Sequence, residues 1–179
     1  MSTEKLIFAQ TFEGLFRSVQ ARLTPVLQQG LKARGVDPTR PLLPAYPHEV
    51  FAEVMLYLAA QLYPQVEEEE AVRLLGRGFM EGFGETMIGR AMLAAMRLIG
   101  PRRTLERVSR QFRAGNNYTE TKLTSISERD YELWINEVRL PGWYIGIVGR
   151  GLELAGGADV RVELTAREGR SGTFRVTWQ

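Results

Sequence analysis

Apolar residues recur along this chain with two different periods. Up to residue 113 the spacing is three to four residues, which predicts helices with one buried face. Beyond it the spacing falls mostly to two, which predicts half-buried strands. Lys5–Thr11 reads as a short strand leading into a helix over Glu13–Leu23, with Leu15, Phe16, Val19 and Leu23 on its inner side. Pro25 suits the first turn of a second helix, Leu27 and Leu31 point inward, and Gly35 stops it. Pro38, Pro41, Pro44 and Pro47 make the next stretch an ordered, stiff connection. Pro47 then opens a helix striped by Val50, Phe51, Val54, Met55, Leu58 and Leu62, and Pro64 ends it.

The longest periodic segment runs from Ala71 to Arg113. Glu67–Glu70 stand at its start, where a helix end favours carboxylates. Val72, Leu75, Phe79 and Phe83 share one face, while Arg73, Arg77, Glu81 and Glu85 line another, with Arg77 and Glu81 spaced as an ion pair. Gly76, Gly78, Gly82, Gly84 and Gly89 each cost roughly 1 kcal/mol against alanine in a helix. Such a concentration predicts another backbone passing very close. After Gly84 the apolar face rotates to Met87, Ile88, Ala91, Ala95, Leu98 and Ile99, which predicts a kink near Gly84–Gly89 or contact with two partners. Gly100-Pro101 is a break. In the helix beyond it Leu105, Val108 and Phe112 face one way, and Arg102, Arg103, Arg107, Arg110 and Arg113 spread over a broad arc with only Glu106 among them.

Ala114–Asn117 has turn chemistry, and the character of the chain changes there. Tyr118–Ile126 and Tyr131–Val138 read as strands, Trp143–Leu154 as a helix with small inner residues, and Gly156-Gly157 as its stop. Val160, Val162 and Leu164, then Phe174, Val176 and Trp178, alternate with polar residues, joined by an Arg167–Gly172 hairpin loop. The fold class is α+β: about five N-terminal helices packed on a C-terminal antiparallel sheet in strand–strand–helix–strand–strand order. One domain over residues 1–179 is expected, mainly helical over 1–113 and ββαββ over 114–179.

Composition narrows the chemistry. The 179 residues are 44% hydrophobic and 25% charged, with a formal net charge of +2. That charge is small for a nucleic-acid partner, and no aromatics interleave with the arginines. There are no cysteines, which removes disulfides, thiolate zinc sites and cysteine nucleophiles and fits a reducing cytoplasm. No apolar run reaches the roughly 20 residues of a membrane span, and the N-terminus MSTEKLIFAQTFEG lacks the apolar core of a secretory signal. His48 is the single histidine. Nothing is spaced to join it on a metal, and it reads as a half-exposed helix-end residue. There is no nucleophile elbow, P-loop or dinucleotide fingerprint, so an enzyme is the minority reading.

Phe79, Phe83 and Met87, with Met92 and Met96, are spaced to line a pocket for an apolar ligand or simply to form core. Thr86 and Arg90 join Phe79, Phe83 and Met87 as candidate pocket residues. The arc of Arg102, Arg103, Arg107, Arg110 and Arg113 is a candidate surface for an anion or an acidic partner, or a solvated face. Trp143 and Tyr144, just after Pro141-Gly142, are candidates for an exposed contact surface.

The segments NNYTET, ELWINEV, LPGWYIGIVGRGLELAGG and VRVELTAREGRSGTFRVTW, with LFRSV, LYP, LLGRGF, TMIGRAM and IGPRRTL, resemble a myxobacterial family of unknown function over almost the whole chain. The helix and closing hairpin are also similar to the ends of the 4-vinyl reductase domain. That domain shares an α/β plait with the haem–nitric-oxide-binding domain and the TRAPP vesicle-tethering subunits. The wider group binds haem, small aromatic or acyl molecules, or partner proteins. The 4-vinyl reductase type usually has cysteines in its final strands, where this chain has Arg167 and Thr173. Haem binding in the related domain uses a helix-borne histidine and a Tyr-x-Ser-x-Arg motif, which this sequence lacks. The resemblance therefore brings no cofactor. Two expectations remain. One is a non-enzymatic cytoplasmic signalling or protein-interaction module, dimeric, with an unnamed partner protein. The other is a sensor enclosing a small apolar or acyl ligand between helices and sheet.

Overall fold

A computed structural model describes residues 4–179. Met1–Thr3, part of the stretch read above as lacking a secretory signal, lie outside the described residues. Strand β1 (Leu6–Phe8) pairs antiparallel with β2 (Ala45–Pro47), so part of the proline-rich connection is strand, with Tyr46 buried opposite Ile7. Helix α1 (Ala9–Val19) follows β1 directly, with a short 3-10 turn over Gln20–Arg22. Helix α2 (Pro25–Ala33) starts on the Thr24 side chain and ends before Gly35, whose φ of 90° no branched residue adopts cheaply. Helix α3 (His48–Leu62) buries the stripe from Phe51 to Leu62.

The long segment divides where its periodicity changes. Helix α4 (Glu68–Glu85) ends because Thr86 takes an extended ψ of 158°. The Thr86 hydroxyl donates to the Phe83 carbonyl and accepts from the Gly89 amide, capping α5 (Met87–Glu106). This is a full stop and restart rather than a kink. Gly100, at φ 79° and ψ 174°, breaks α5 again at the expected Gly-Pro step. Helix α6 (Val108–Gly115) follows another interruption at Arg107. The helical part thus holds six α-helices among the described residues, one more than the pattern predicted.

Gly76 and Gly82 meet the backbone of another helix, as the number of glycines implied, whereas Gly78 and Gly84 face only side chains and Gly89 meets the turn at Phe83. A Cβ at Gly76 would lie 2.8 Å from the Trp143 carbonyl oxygen, and one at Gly82 would lie 2.6 Å from the Ser18 amide nitrogen. Helix α4 therefore lies backbone-to-backbone between α1 and α7 (Pro141–Leu154), where Gly142 and Gly146 make the reciprocal approaches. The charged face of α4 pairs differently from the sequence expectation. Arg77 grips Glu153 of α7 in a two-pronged pair at 2.9 Å, and Glu81 bonds Arg150 at 3.1 Å. The close packing of α7 puts those partners nearer than the next turn of α4.

On its other side α7 covers a four-stranded antiparallel sheet. The strands are β3 (Thr121–Ser127), β4 (Asp130–Ile135), β5 (Arg161–Glu168) and β6 (Ser171–Thr177), in the order β3-β4-β6-β5. Tyr131, Leu133, Ile135, Phe174 and Val176 form its buried face. The β5–β6 hairpin is tighter than predicted: Glu168 pairs with Ser171, leaving Gly169, at φ 57°, and Arg170 as the turn. The buried apolar side chains of helices and sheet form one continuous cluster. No helix among the described residues is long and apolar enough to cross a membrane.

Candidate functional site

Helix α6 is short and crosses the end of the α1–α4–α7 stack. It is tied down where the turn residues are. The Asn116 side chain accepts from the Tyr118 and Thr119 amides, and Asn117 bonds both the Leu6 amide and the Glu4 carbonyl. Phe112 and Val108 face inward, but α6 does not close fully against the stack. Two adjoining cavities of about 90 Å³ each lie beneath it. They share Thr11, Phe79, Gln111, Phe112, Gly115 and Ile147 as a common wall.

The inner cavity is the more apolar. Met80, Phe83, Met92, Met96, Leu105 and Leu152 close it. Three methionines on α4 and α5 give it a wall that can change shape, since an unbranched thioether adopts many rotamers at small cost. The outer cavity runs past Phe51, Trp143 and Tyr144 to His48, Tyr118 and Arg139. Trp143 packs edge-on against Phe51 with centroids 5.2 Å apart, and also against Phe79 at 5.0 Å. The Tyr144 hydroxyl donates to the Glu137 carbonyl at 3.0 Å, and burial pushes its pKa up to about 12.

Phe79, Phe83, Met92 and Met96 are brought together at the inner cavity, as their spacing allowed. Three other candidates are elsewhere. Thr86 is buried as the cap of α5, with both its hydrogen-bonding capacities used. Met87 is 78% exposed, because the stop at Thr86 turns it outward. Arg90 is exposed and donates only to the Glu85 carbonyl at 3.3 Å. Trp143 and Tyr144, expected at the surface, are buried by α7 itself, since Pro141 is the first residue of that helix and not a turn before it. His48 is also more buried than its position suggested, at 7% exposure. Its ring stands edge-on to Tyr118 at 4.9 Å, and its Nδ1 is 4.0 Å from Glu49 Oε1, too far for a hydrogen bond. Burial holds it below its ordinary pKa, and so neutral at pH 7.

The arginine arc is divided by the interruption at Arg107. Arg102 pairs with Glu106 at 3.1 Å, whereas Arg107, Arg110 and Arg113 border an open depression together with Glu106 and Ser109. Sequence reasoning missed Gln111, Ile147 and His48 as wall residues. Gln111 lies between two arginines of the arc, and only the crossing angle of α6 turns it inward.

Residues 5–179 match a family model described as "Protein of unknown function (DUF2378)", and the chain belongs to that family. No curated protein matches it by sequence. Its fold is that of H-NOX proteins. A Fe(II) unliganded H-NOX protein from K. algicida is 12% identical, with 95% of each chain covered and a TM-score of 0.65. A structure described as "Structural insights into the molecular mechanism of H-NOX activation" is 14% identical, with 94% of each chain covered and a TM-score of 0.71. One described as "Probing the function of heme distortion in the H-NOX family" is 12% identical, covering 94% of this chain and 93% of the other, with a TM-score of 0.63.

Proposed function

We propose that this member of the DUF2378 family is a non-enzymatic cytoplasmic sensor module that encloses a small apolar ligand between α6 and the α1–α4–α7 stack. The observation that carries this reading is the pair of adjoining, mainly apolar cavities under α6. A packed interior has few voids larger than a water molecule, and two that share a wall in one place are a site ready to be filled. The H-NOX fold supports the same reading, since proteins described with heme share it.

Haem itself does not fit the residues present. Each cavity is about 90 Å³, where pockets for drug-sized ligands run to roughly 300–1,000 Å³. Helix α6 turns Val108, Gln111 and Phe112 inward, none of which ligates iron in the usual haem proteins. His48, the single histidine of the chain, stands at the opposite rim with its ring against Tyr118. The occupant is therefore a smaller molecule, closer in size to benzene, which an engineered cavity of about 150 Å³ accepts.

Native mass spectrometry of freshly purified protein, paired with a denaturing run, tests this. An extra mass of a small organic molecule that disappears on denaturation is the expected result. A clean protomer mass, together with no thermal stabilisation by octanol, overturns the proposal.

A second reading concerns self-association. The outward face of α5 carries Met87 at 78%, Ile88 at 57% and Leu98 at 87% exposure, with exposed Ala91 and Ala95 between them. Large residues at both ends and alanines in the middle suit the antiparallel two-fold packing of α5 on its own copy, in which Met87 meets Leu98. Leu98→Glu converts a dimer to a monomer in sedimentation if this is right. A monomeric wild-type protein refutes it.

A further inference from the structure

The outer cavity does not end in apolar residues. His48 and Arg139 belong both to it and to a third pocket of about 250 Å³. That pocket is polar, lined by Lys5, Glu49, Glu137, Arg139, Arg167 and Arg170 around the β5–β6 turn. Its charges are not balanced. Glu137 is held by Lys5 at 2.5 Å and approached by Arg170 at 3.8 Å. Arg139 forms no ion pair among the described residues. Arg167 gives one nitrogen to the Val138 carbonyl at 2.8 Å and has no acid partner either. Two guanidinium groups without acid partners thus stand at the mouth of a slot whose deep end is made of methionine, leucine and phenylalanine. His48, neutral and edge-on to Tyr118, is the side chain between the two environments.

We infer that the ligand is an amphiphile, a short aliphatic carboxylate whose chain fills the two cavities and whose head group is held at this mouth by Arg139 and Arg167. This rests on the enclosed-ligand reading above and adds the chemical class of the ligand. The chain end supplies the hydrophobic gain, about 0.8 kcal/mol per buried methylene. The head group supplies direction, because a planar guanidinium meets a carboxylate with two parallel hydrogen bonds. Glu49 and Glu137 stand beside the mouth. Four cationic side chains against these two carboxylates leave a net charge of +2 at the mouth, enough to neutralise the anionic head of a fatty-acid-like ligand. An uncharged ligand would need no such mouth.

Octanoate, octyl phosphate and 1-octanol each carry eight carbons in an unbranched chain, the eighth of octanoate being its carboxyl, and they differ mainly in the head. Their affinities for the full chain are measured by calorimetry, with thermal shift as a second readout. Octanoate is expected to bind at least tenfold more tightly than octanol. The double variant Arg139→Gln, Arg167→Gln, both at exposed positions, is expected to lower octanoate to the level of octanol while leaving octanol binding unchanged. Equal binding of octanoate and octanol, or octanoate binding untouched by the double variant, overturns the carboxylate inference and leaves the apolar cavity standing. A preference for octyl phosphate overturns it in favour of a phosphorylated ligand. If neither octanol nor octanoate binds the wild-type chain, the cavity proposal falls with it.

Discussion

Gly146 and Gly151 lie five residues apart on α7, and alanine at the two positions should have opposite effects. At Gly151 the new Cβ would meet only Met80 Cε and Met96 Cε, both at 3.5 Å, an ordinary contact across the inner cavity. Alanine there removes the backbone-entropy cost of a helical glycine, about 1 kcal/mol. It also buries one methyl in the void, worth about 0.8 kcal/mol. A gain of roughly 1–2 kcal/mol in a chain of 179 residues raises Tm by about 3–5 °C. At Gly146 the same helix gain applies, but the Cβ would collide with the Arg73 carbonyl oxygen, and would lie 2.9 Å from the Arg77 nitrogen and 3.0 Å from Gly76 Cα. Those obstacles are backbone and cannot swing aside, so α4 and α7 must separate. Overpacking of this kind costs about 1–3 kcal/mol or more, and a net loss of about 2 kcal/mol is expected. Circular dichroism melts and urea titrations of both variants give the answer. Stabilisation by Gly146→Ala, or destabilisation by Gly151→Ala, would refute the view that α4 and α7 meet backbone-to-backbone beside an underfilled cavity.

Trp143→Ala removes a ring packed on both Phe51 and Phe79. It should cost about 3–5 kcal/mol in urea unfolding, where a surface tryptophan would cost almost nothing. Burial depresses the pKa of His48 in the folded chain. The unfolded chain therefore takes up the proton first, and the contribution of His48 is complete above about pH 6.5 and lost as pH falls towards its folded value. His48→Phe should flatten the stability profile in that window, and an unchanged slope contradicts the burial. The Arg77 hydrogen bonds hold Glu153 below the ordinary carboxylate range. Its contribution is present above pH 4.5 and lost as pH falls through the lowered value, so Glu153→Gln should weaken the chain at pH 7 by about 1 kcal/mol and reduce its acid sensitivity.

Much of the fold is legible in the residues because it follows from periodicity and punctuation. The ββαββ order, the α3 stripe, the stop at Gly35 and the break at Gly100 all come from local rules that the tertiary structure obeys. The glycines of α4 announced a close backbone approach, although not which helix makes it. The errors have a common cause. Arg77 and Glu81 had the right spacing to pair, but α7 brought Glu153 and Arg150 closer. Met87 and Arg90 sat on the predicted periodic segment, yet the extended backbone of Thr86 turned both outward. Trp143 and Tyr144 followed Pro-Gly, a turn signal that here opens a helix. The candidate site was half legible for the same reason. Phe79, Phe83, Met92 and Met96 share helical spacing, whereas Gln111, His48 and Arg139 reach the slot only through the crossing of α6 and the position of the sheet.

The enclosed-ligand proposal is tested most directly by methyl NMR on protein labelled at its six methionines. Met80, Met92 and Met96 line the inner cavity, Met55 is fully buried outside both cavities, and Met87 is on the surface. Titration with 1-octanol should shift the signals of Met80, Met92 and Met96 together to saturation and leave Met55 and Met87 in place. Shifts confined to Met87, or no saturable shift at the three cavity methionines, would contradict a ligand site beneath α6.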